Sequence, residues 1–72
     1  MNLKDVKSLI QDVAEMNGFE VLAIKKIDKE TLSVTMKTTV TEKQYIFWVN
    51  TKHIAYELIV FNDLCREITS AR

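Results

Sequence analysis

One stretch of this chain, residues 31–39, alternates without a break between two kinds of side chain. Leu32, Val34 and Met36 fall on one side, and threonine, serine and lysine fall on the other. Because successive side chains of a β-strand point to opposite faces, a period of two predicts a strand with one apolar and one polar face. This stretch is the clearest strand in the chain, and the rest of the fold has to be built around it.

Two further strands are predicted beside it, at about residues 19–27 and 43–50. Two sets of residues alternate in the first: Phe19, Val21 and Ala23, and Glu20, Leu22 and Ile24. Both sets contain apolar side chains, so both faces are expected to be partly covered. The other strand carries Tyr45, Phe47 and Val49 on one face and Ile46 and Trp48 on the opposite face. Since each aromatic side chain buries about 150–250 Å², we expect a second surface to cover the Ile46 and Trp48 face.

Apolar residues at helical spacing predict a helix at each end of the chain. An apolar stripe predicts a helix over about residues 2–17, with Asn2 as its N-cap and Asn17-Gly18 as its left-handed end. A second stripe predicts a helix over about residues 52–70, and it consists of Ile54, Leu58, Phe61, Cys65 and Ile68. This helix would carry Tyr56, Ile59 and Val60 on the side away from that stripe. A competing interpretation is a strand at about residues 56–61, because Tyr, Ile, Val and Phe favour strands, followed by a short helix.

The order helix, three strands, helix predicts a single small α+β domain over residues 1–72. Its architecture is αβββα, with a three-stranded antiparallel meander and both helices packed on one face. The length of 72 residues and the 47% hydrophobic content are typical of one small globular domain. A core of this size leaves a margin of only a few kcal/mol, and pairing with a second copy is a common remedy.

Charge, glycine and cysteine content exclude several classes of function. Ten basic residues balance ten acidic ones, which is not the composition of a strong nucleic-acid or anionic-membrane binder. Gly18 is the only glycine, so the chain lacks the glycine-rich loops that hold phosphates in nucleotide-binding proteins. With the single cysteine Cys65, no signal-peptide profile and no apolar run near 18 residues, we expect a cytoplasmic protein without disulfides or membrane association.

No group of residues predicts catalysis, a cofactor or a metal. His53 is the only histidine, and Glu57 would lie one helical turn after it. Cys65 could not act as a nucleophile activated by His53, because twelve residues of continuous helix separate these two residues by about 18 Å. A closed zinc site needs about four ligands, and Asp28 and Glu30 lack the oxygen count and glycine of a calcium loop. We therefore expect a protein that is not an enzyme and that uses no cofactor.

Two functional hypotheses follow from these patterns. The first is a non-enzymatic protein–protein interaction module that forms a homodimer. Its candidate interface is either the face of Ile46 and Trp48 or the side of the last helix with Tyr56, Ile59 and Val60, because the apolar content exceeds what one small core can cover. The second is weak binding of RNA or single-stranded nucleic acid through Lys25, Lys26, Lys29 and an exposed Trp48. The balanced charge favours the first hypothesis.

Parts of the sequence resemble two known families. Double-stranded-RNA-binding domains share the αβββα order, but they have a lysine-rich start to the second helix, and residues 50–55 contain only Lys52. Residues 1–19, the threonine-rich strand at residues 31–37 and the aromatic run at residues 45–48 resemble the YopT-type family, small proteins of bacilli and their SPβ-like prophages. This second resemblance implies a prophage-encoded homodimer with one helix and three strands per subunit and no assigned activity. It implies no catalytic or binding residue, and with it the expected partner of the interaction module becomes a host or phage protein.

Overall fold

The computed structural model describes residues 2–70, which form a single α+β unit. Helix α1 spans Leu3–Met16, followed by strands β1 (Phe19–Lys26), β2 (Thr31–Thr38) and β3 (Gln44–Asn50). A 3-10 turn, Thr51–His53, leads directly into helix α2, Ile54–Ser70. The strands form an antiparallel sheet in the order β1-β2-β3, with both helices on one face, so the predicted fold is confirmed. Met1, Ala71 and Arg72, which the predicted domain includes, lie outside the described residues.

Helix α2 is continuous through the segment for which a strand was the competing interpretation. Residues 54–70 are helical, so a strand at residues 56–61 is wrong. The whole predicted stripe of α2 contacts the core, with Phe61 and Cys65 buried, and this burial outweighs the strand propensity of the local sequence. The second helix also exceeds the one helix per subunit that the YopT-type resemblance implies.

Helix α1 begins and ends as its sequence predicts. The side-chain oxygen of Asn2 accepts a hydrogen bond from the Asp5 backbone N–H at 2.9 Å. At the other end Gly18 has a φ of +80°, and its N–H donates to the Glu15 carbonyl at 3.2 Å. The Gly18 carbonyl accepts from the backbone N–H of Thr39 at 3.0 Å. Because glycine adopts positive φ at little cost, this residue turns the chain from α1 into β1.

Strand β1 contains a β-bulge that moves its later residues between faces. Val21 pairs with Met36, but Ala23 pairs with Thr35, so β1 has one extra residue at this point. The residues of β1 that pack towards the helices are Phe19, Val21 and Ile24. The predicted alternation, with Ala23 on the same face as Val21, is therefore wrong. Since β1 has apolar side chains on both faces, its hydrophobic pattern does not fix a single register.

The core lies between the sheet and the two helices. Its largest fully buried side chains are Phe19, Ile10, Leu32, Met36, Val34, Val49 and Cys65. The rings of Phe47 and Phe61 meet edge to face with centroids 5.6 Å apart, which joins β3 to α2. The Asn17 side-chain amide donates to the side-chain oxygen of Asn62 at 2.9 Å, which joins the end of α1 to the middle of α2. In residues 2–70 both helices lie on this side of the sheet, so no helix packs on the opposite face.

Candidate functional site

On the outer face of the sheet, opposite the helices, strand β3 carries two large exposed apolar side chains. Trp48 is 74% exposed and Ile46 is 62% exposed, and both belong to the edge strand β3. Both helices pack on the other face, so within residues 2–70 no helix covers this pair. The expectation that a second surface covers Ile46 and Trp48 is therefore not met by the chain's own helices.

The strand register arranges the outer face in three cross-strand rows. The first row is Lys25, Ser33 and Trp48; the second is Ala23, Thr35 and Ile46; the third is Glu20, Lys37 and Gln44. From ordinary strand spacing, each row is about 10 Å long and the rows are about 7 Å apart. The third row holds an ion pair, with Lys37 Nζ 3.5 Å from Glu20 Oε2. Small and hydroxyl side chains fill the centre of the first two rows, so Ile46 and Trp48 form a raised ridge along β3.

The exposed side of α2 is the second predicted surface. Tyr56 is 69% exposed, Ile59 is 61% exposed and Val60 is half-buried. Asp63 follows Ile59 by four residues, so a carboxylate interrupts the same stripe one turn later. Because α2 packs on the inner face of the sheet, this patch and the outer face point away from each other. The five predicted interface residues therefore form two separate surfaces.

The structure does not bring the four predicted nucleic-acid contacts onto one surface. Lys25 shares a row of the outer face with Trp48. Lys26 pairs with the buried Leu32 and belongs to the inner face, and Lys29 lies in the β1–β2 turn. Lys26 and Lys29 instead line a cavity together with Lys52, which the sequence analysis did not group with them. That grouping requires knowing that β3 ends beside the β1–β2 turn.

The residues considered for catalysis are a carboxylate that binds the backbone, an exposed histidine and a buried thiol. Oε1 of Glu57 accepts a hydrogen bond from the Asn50 backbone N–H at 3.1 Å, so this carboxylate holds the junction between β3 and α2. His53 is exposed at the end of the 3-10 turn. Cys65 is fully buried, and burial raises the pKa of its thiol to about 11, so it is protonated at neutral pH. Within residues 2–70, no three His, Cys, Asp or Glu side chains are grouped to hold a metal.

Comparison with protein-family models, curated proteins and solved structures finds no match to this chain. The resemblance to the YopT-type family therefore stays a prediction. Neither helix described for residues 2–70 combines the length and the apolar character needed to cross a bilayer. The function has to be inferred from the surfaces themselves, and the outer face of the sheet carries the most exposed of the predicted interface residues, Trp48 at 74%.

Proposed function

We propose that this protein is a non-enzymatic interaction module that forms a homodimer through the outer face of its sheet. The observation that carries the proposal is the ridge formed by Ile46 and Trp48, which are 62% and 74% exposed on a face without helices. Burying apolar surface contributes roughly 25 cal/mol per Å², so this ridge favours a partner. Tryptophan is also among the residues that most often dominate the binding energy of protein interfaces.

A second copy of the chain fits this face because its two sides are complementary. The ridge lies on β3, while β1 presents the smaller Ala23 and the cation of Lys25 in the same two rows. A two-fold axis running along β2 would place β3 of one subunit over β1 of its partner. Ile46 would then cover the partner's Ala23, and Trp48 would lie over the partner's Lys25, where a cation–π contact is available.

The size of the face sets the expected strength of this dimer. Three strands of about seven residues cover roughly 14 by 23 Å, an area of about 320 Å². This area is below the roughly 800 Å² of accessible surface that each partner buries in a standard interface. We therefore expect a weak, concentration-dependent dimer. Such a dimer requires association measurements over a wide concentration range.

A matched pair of substitutions separates the two predicted interfaces. Ile46 and Ile59 are the same residue type, are 62% and 61% exposed, and lie on opposite sides of the molecule. Sedimentation equilibrium should show that the wild type and Ile59→Lys dimerise and that Ile46→Lys stays monomeric. The reverse result would assign the interface to α2. A wild type that remains monomeric at millimolar concentration would contradict the homodimer.

Weak binding of single-stranded nucleic acid is a second candidate, and one specific observation favours it. Lys25 and Trp48 share one row, so a base could stack on the indole while the ammonium group contacts a phosphate. Anisotropy with a labelled single-stranded RNA should then show binding that falls steeply with salt and is lost in Lys25→Gln. Lys29→Gln is the control that leaves this face unchanged. Unaltered binding in Lys25→Gln would exclude this use of the outer face.

The wider proposal is that the dimer acts in the cytoplasm and binds a host or phage protein. The YopT-type resemblance supports a prophage origin. Capture of partners from a host lysate, with and without nuclease, distinguishes the two candidate functions. A defined protein partner that survives nuclease and is lost in Ile46→Lys would support an interaction module. Partners that disappear with nuclease would favour nucleic-acid binding.

A further inference from the structure

A cavity of about 380 Å³ lies where the β1–β2 turn meets the starts of both helices. Its charged lining consists of Lys26, Lys29, Lys52 and Asp28. Its apolar lining consists of Leu3, Val6, Leu32 and Ile54. The volume falls within the range of about 300–1,000 Å³ that is usual for small-molecule sites, which combine apolar walls with a few polar groups. The cavity is separate from the outer face of the sheet.

The fold assembles this lysine group from three parts of the chain. Lys26 ends β1, Lys29 lies in the following turn, and Lys52 lies in the 3-10 turn after β3. The two turns are fixed to each other by the Glu30 carbonyl, which accepts from the backbone N–H of Thr51 at 2.6 Å and from its hydroxyl at 3.2 Å. The backbone positions of the lysines around the cavity are thus set by contacts within the protein.

The cavity has an excess of positive charge that no neighbouring carboxylate pairs with directly. Within residues 2–70, Lys26, Lys29 and Lys52 form no salt bridge. Asp28 stays ionised at neutral pH, because hydrogen bonds from the Glu30 backbone N–H and the Thr31 side chain lower the pKa of its carboxyl. Three lysines against one aspartate leave the lining with two positive charges in excess, in a chain whose formal net charge is zero.

The helix starts at this end already have their own caps. Asn2 accepts from a backbone N–H of α1, and the Asn50 side chain accepts from the Lys52 backbone N–H at 2.8 Å. The lysine ammonium groups, by contrast, make no salt bridge within the described chain. A ligand would therefore be held mainly by the lysines, with the helix dipoles adding a smaller attraction.

We propose that this cavity binds a small phosphate monoester with an apolar ester group. The phosphate would lie among Lys26, Lys29 and Lys52, and the apolar group would contact an apolar floor whose accessible part is Leu3, which is 40% exposed, and the half-buried Ile54. A phosphate monoester carries about −1.5 to −2 charges at neutral pH, which matches the excess of the lining. Lysine binds phosphate as a point charge and needs no fixed bidentate geometry.

The test uses phenyl phosphate as the probe and the ¹⁵N-labelled full chain. Titration should give saturable amide shifts at the β1–β2 turn, the 3-10 turn and the start of α1. Phenol, inorganic phosphate and benzoate are the comparison probes, and each should bind more weakly, because each lacks the phosphate, the apolar group or the second negative charge. Binding should also weaken as ionic strength rises.

Two charge-matched variants show whether the lysines of the cavity are responsible. Lys52 lines the cavity, whereas Lys43 is also exposed but lies at the opposite end of the sheet, so Lys43→Gln is the control for Lys52→Gln. Loss of one ammonium group at contact distance should weaken phenyl phosphate binding about tenfold in Lys52→Gln and leave it unchanged in Lys43→Gln. Equal loss in both variants, no saturable shift below about 20 mM, or phenol binding as well as phenyl phosphate would overturn the site. Equal affinity for inorganic phosphate would overturn the role of the apolar floor.

Discussion

Replacing Trp48 with threonine should remove self-association while leaving the fold of the monomer intact. A tryptophan can bury up to about 250 Å², and the 74% exposure of Trp48 leaves roughly 185 Å² for a partner to cover. If a second copy covers half of that area, each tryptophan contributes about 2 kcal/mol, and the two in a dimer contribute about 4 kcal/mol. The dissociation constant of Trp48→Thr should therefore rise about a thousandfold.

The monomer should be almost unaffected by the same substitution. Threonine favours strands as tryptophan does, and the Trp48 side chain points away from the core, so we expect the free energy of unfolding to change by less than about 0.5 kcal/mol. Sedimentation equilibrium measures the association, and urea unfolding followed by far-ultraviolet circular dichroism measures the stability. Since Phe47 faces Phe61 across the core, Phe47→Thr is the neighbouring control and should cost about 3 kcal/mol. An unchanged dissociation constant in Trp48→Thr would refute the interface. A fall of more than about 2 kcal/mol in the free energy of unfolding of Trp48→Thr would refute the exposed position of Trp48.

Three further predictions concern the backbone and the buried thiol. Gly18→Ala should lower the free energy of unfolding by about 1 kcal/mol and Gly18→Asn by less. The cause is the φ of +80°, which is unfavourable for alanine although the surrounding space is empty. Equal losses in the two variants would contradict this cause. Glu42 has a φ of +59°, so Glu42→Gly should raise the stability by about 0.5–1 kcal/mol in the same assay, and a loss would argue against this backbone conformation. Burial raises the pKa of Cys65 from 9.0 to about 11, so thiol ionisation favours the unfolded chain above pH 9. Relative to Cys65→Ala, the wild type should lose about 2 kcal/mol between pH 9 and 11, and parallel pH profiles would contradict the shift.

The order and type of the helices and strands were predictable mainly because β2 and the two helices have a clear hydrophobic period. The unbroken alternation of β2 predicts a strand with one buried face, and the stripe of α2 predicts a long helix in spite of its strand-favouring residues. The ends of α1 were predictable as well, since Asn2 and Gly18 are typical capping residues. In each case the signal lies within a short stretch of sequence.

The remaining features depend on contacts that a short stretch of sequence does not contain. The bulge between Val21 and Ala23 was missed because both faces of β1 are apolar, so either register satisfies the local pattern. Lys52 was not grouped with the lysines of β1 and its turn, because this grouping depends on how the 3-10 turn packs against the β1–β2 turn. The sequence indicated that β3 has two apolar faces, but the absence of a helix over the Ile46 and Trp48 face is a property of the whole fold.

The order of the strands has a consequence for how the chain folds. Each strand pairs with its neighbour in sequence, so the pairings within the sheet do not depend on α2. Before α2 packs, Phe47 has no contact with Phe61, and the ridge on the other side of β3 is exposed as well. A chain that has formed the sheet without α2 would therefore have a β3 that is apolar and open on both sides. The arrival of α2, which the Asn17–Asn62 hydrogen bond ties to α1, ends the period of greatest aggregation risk.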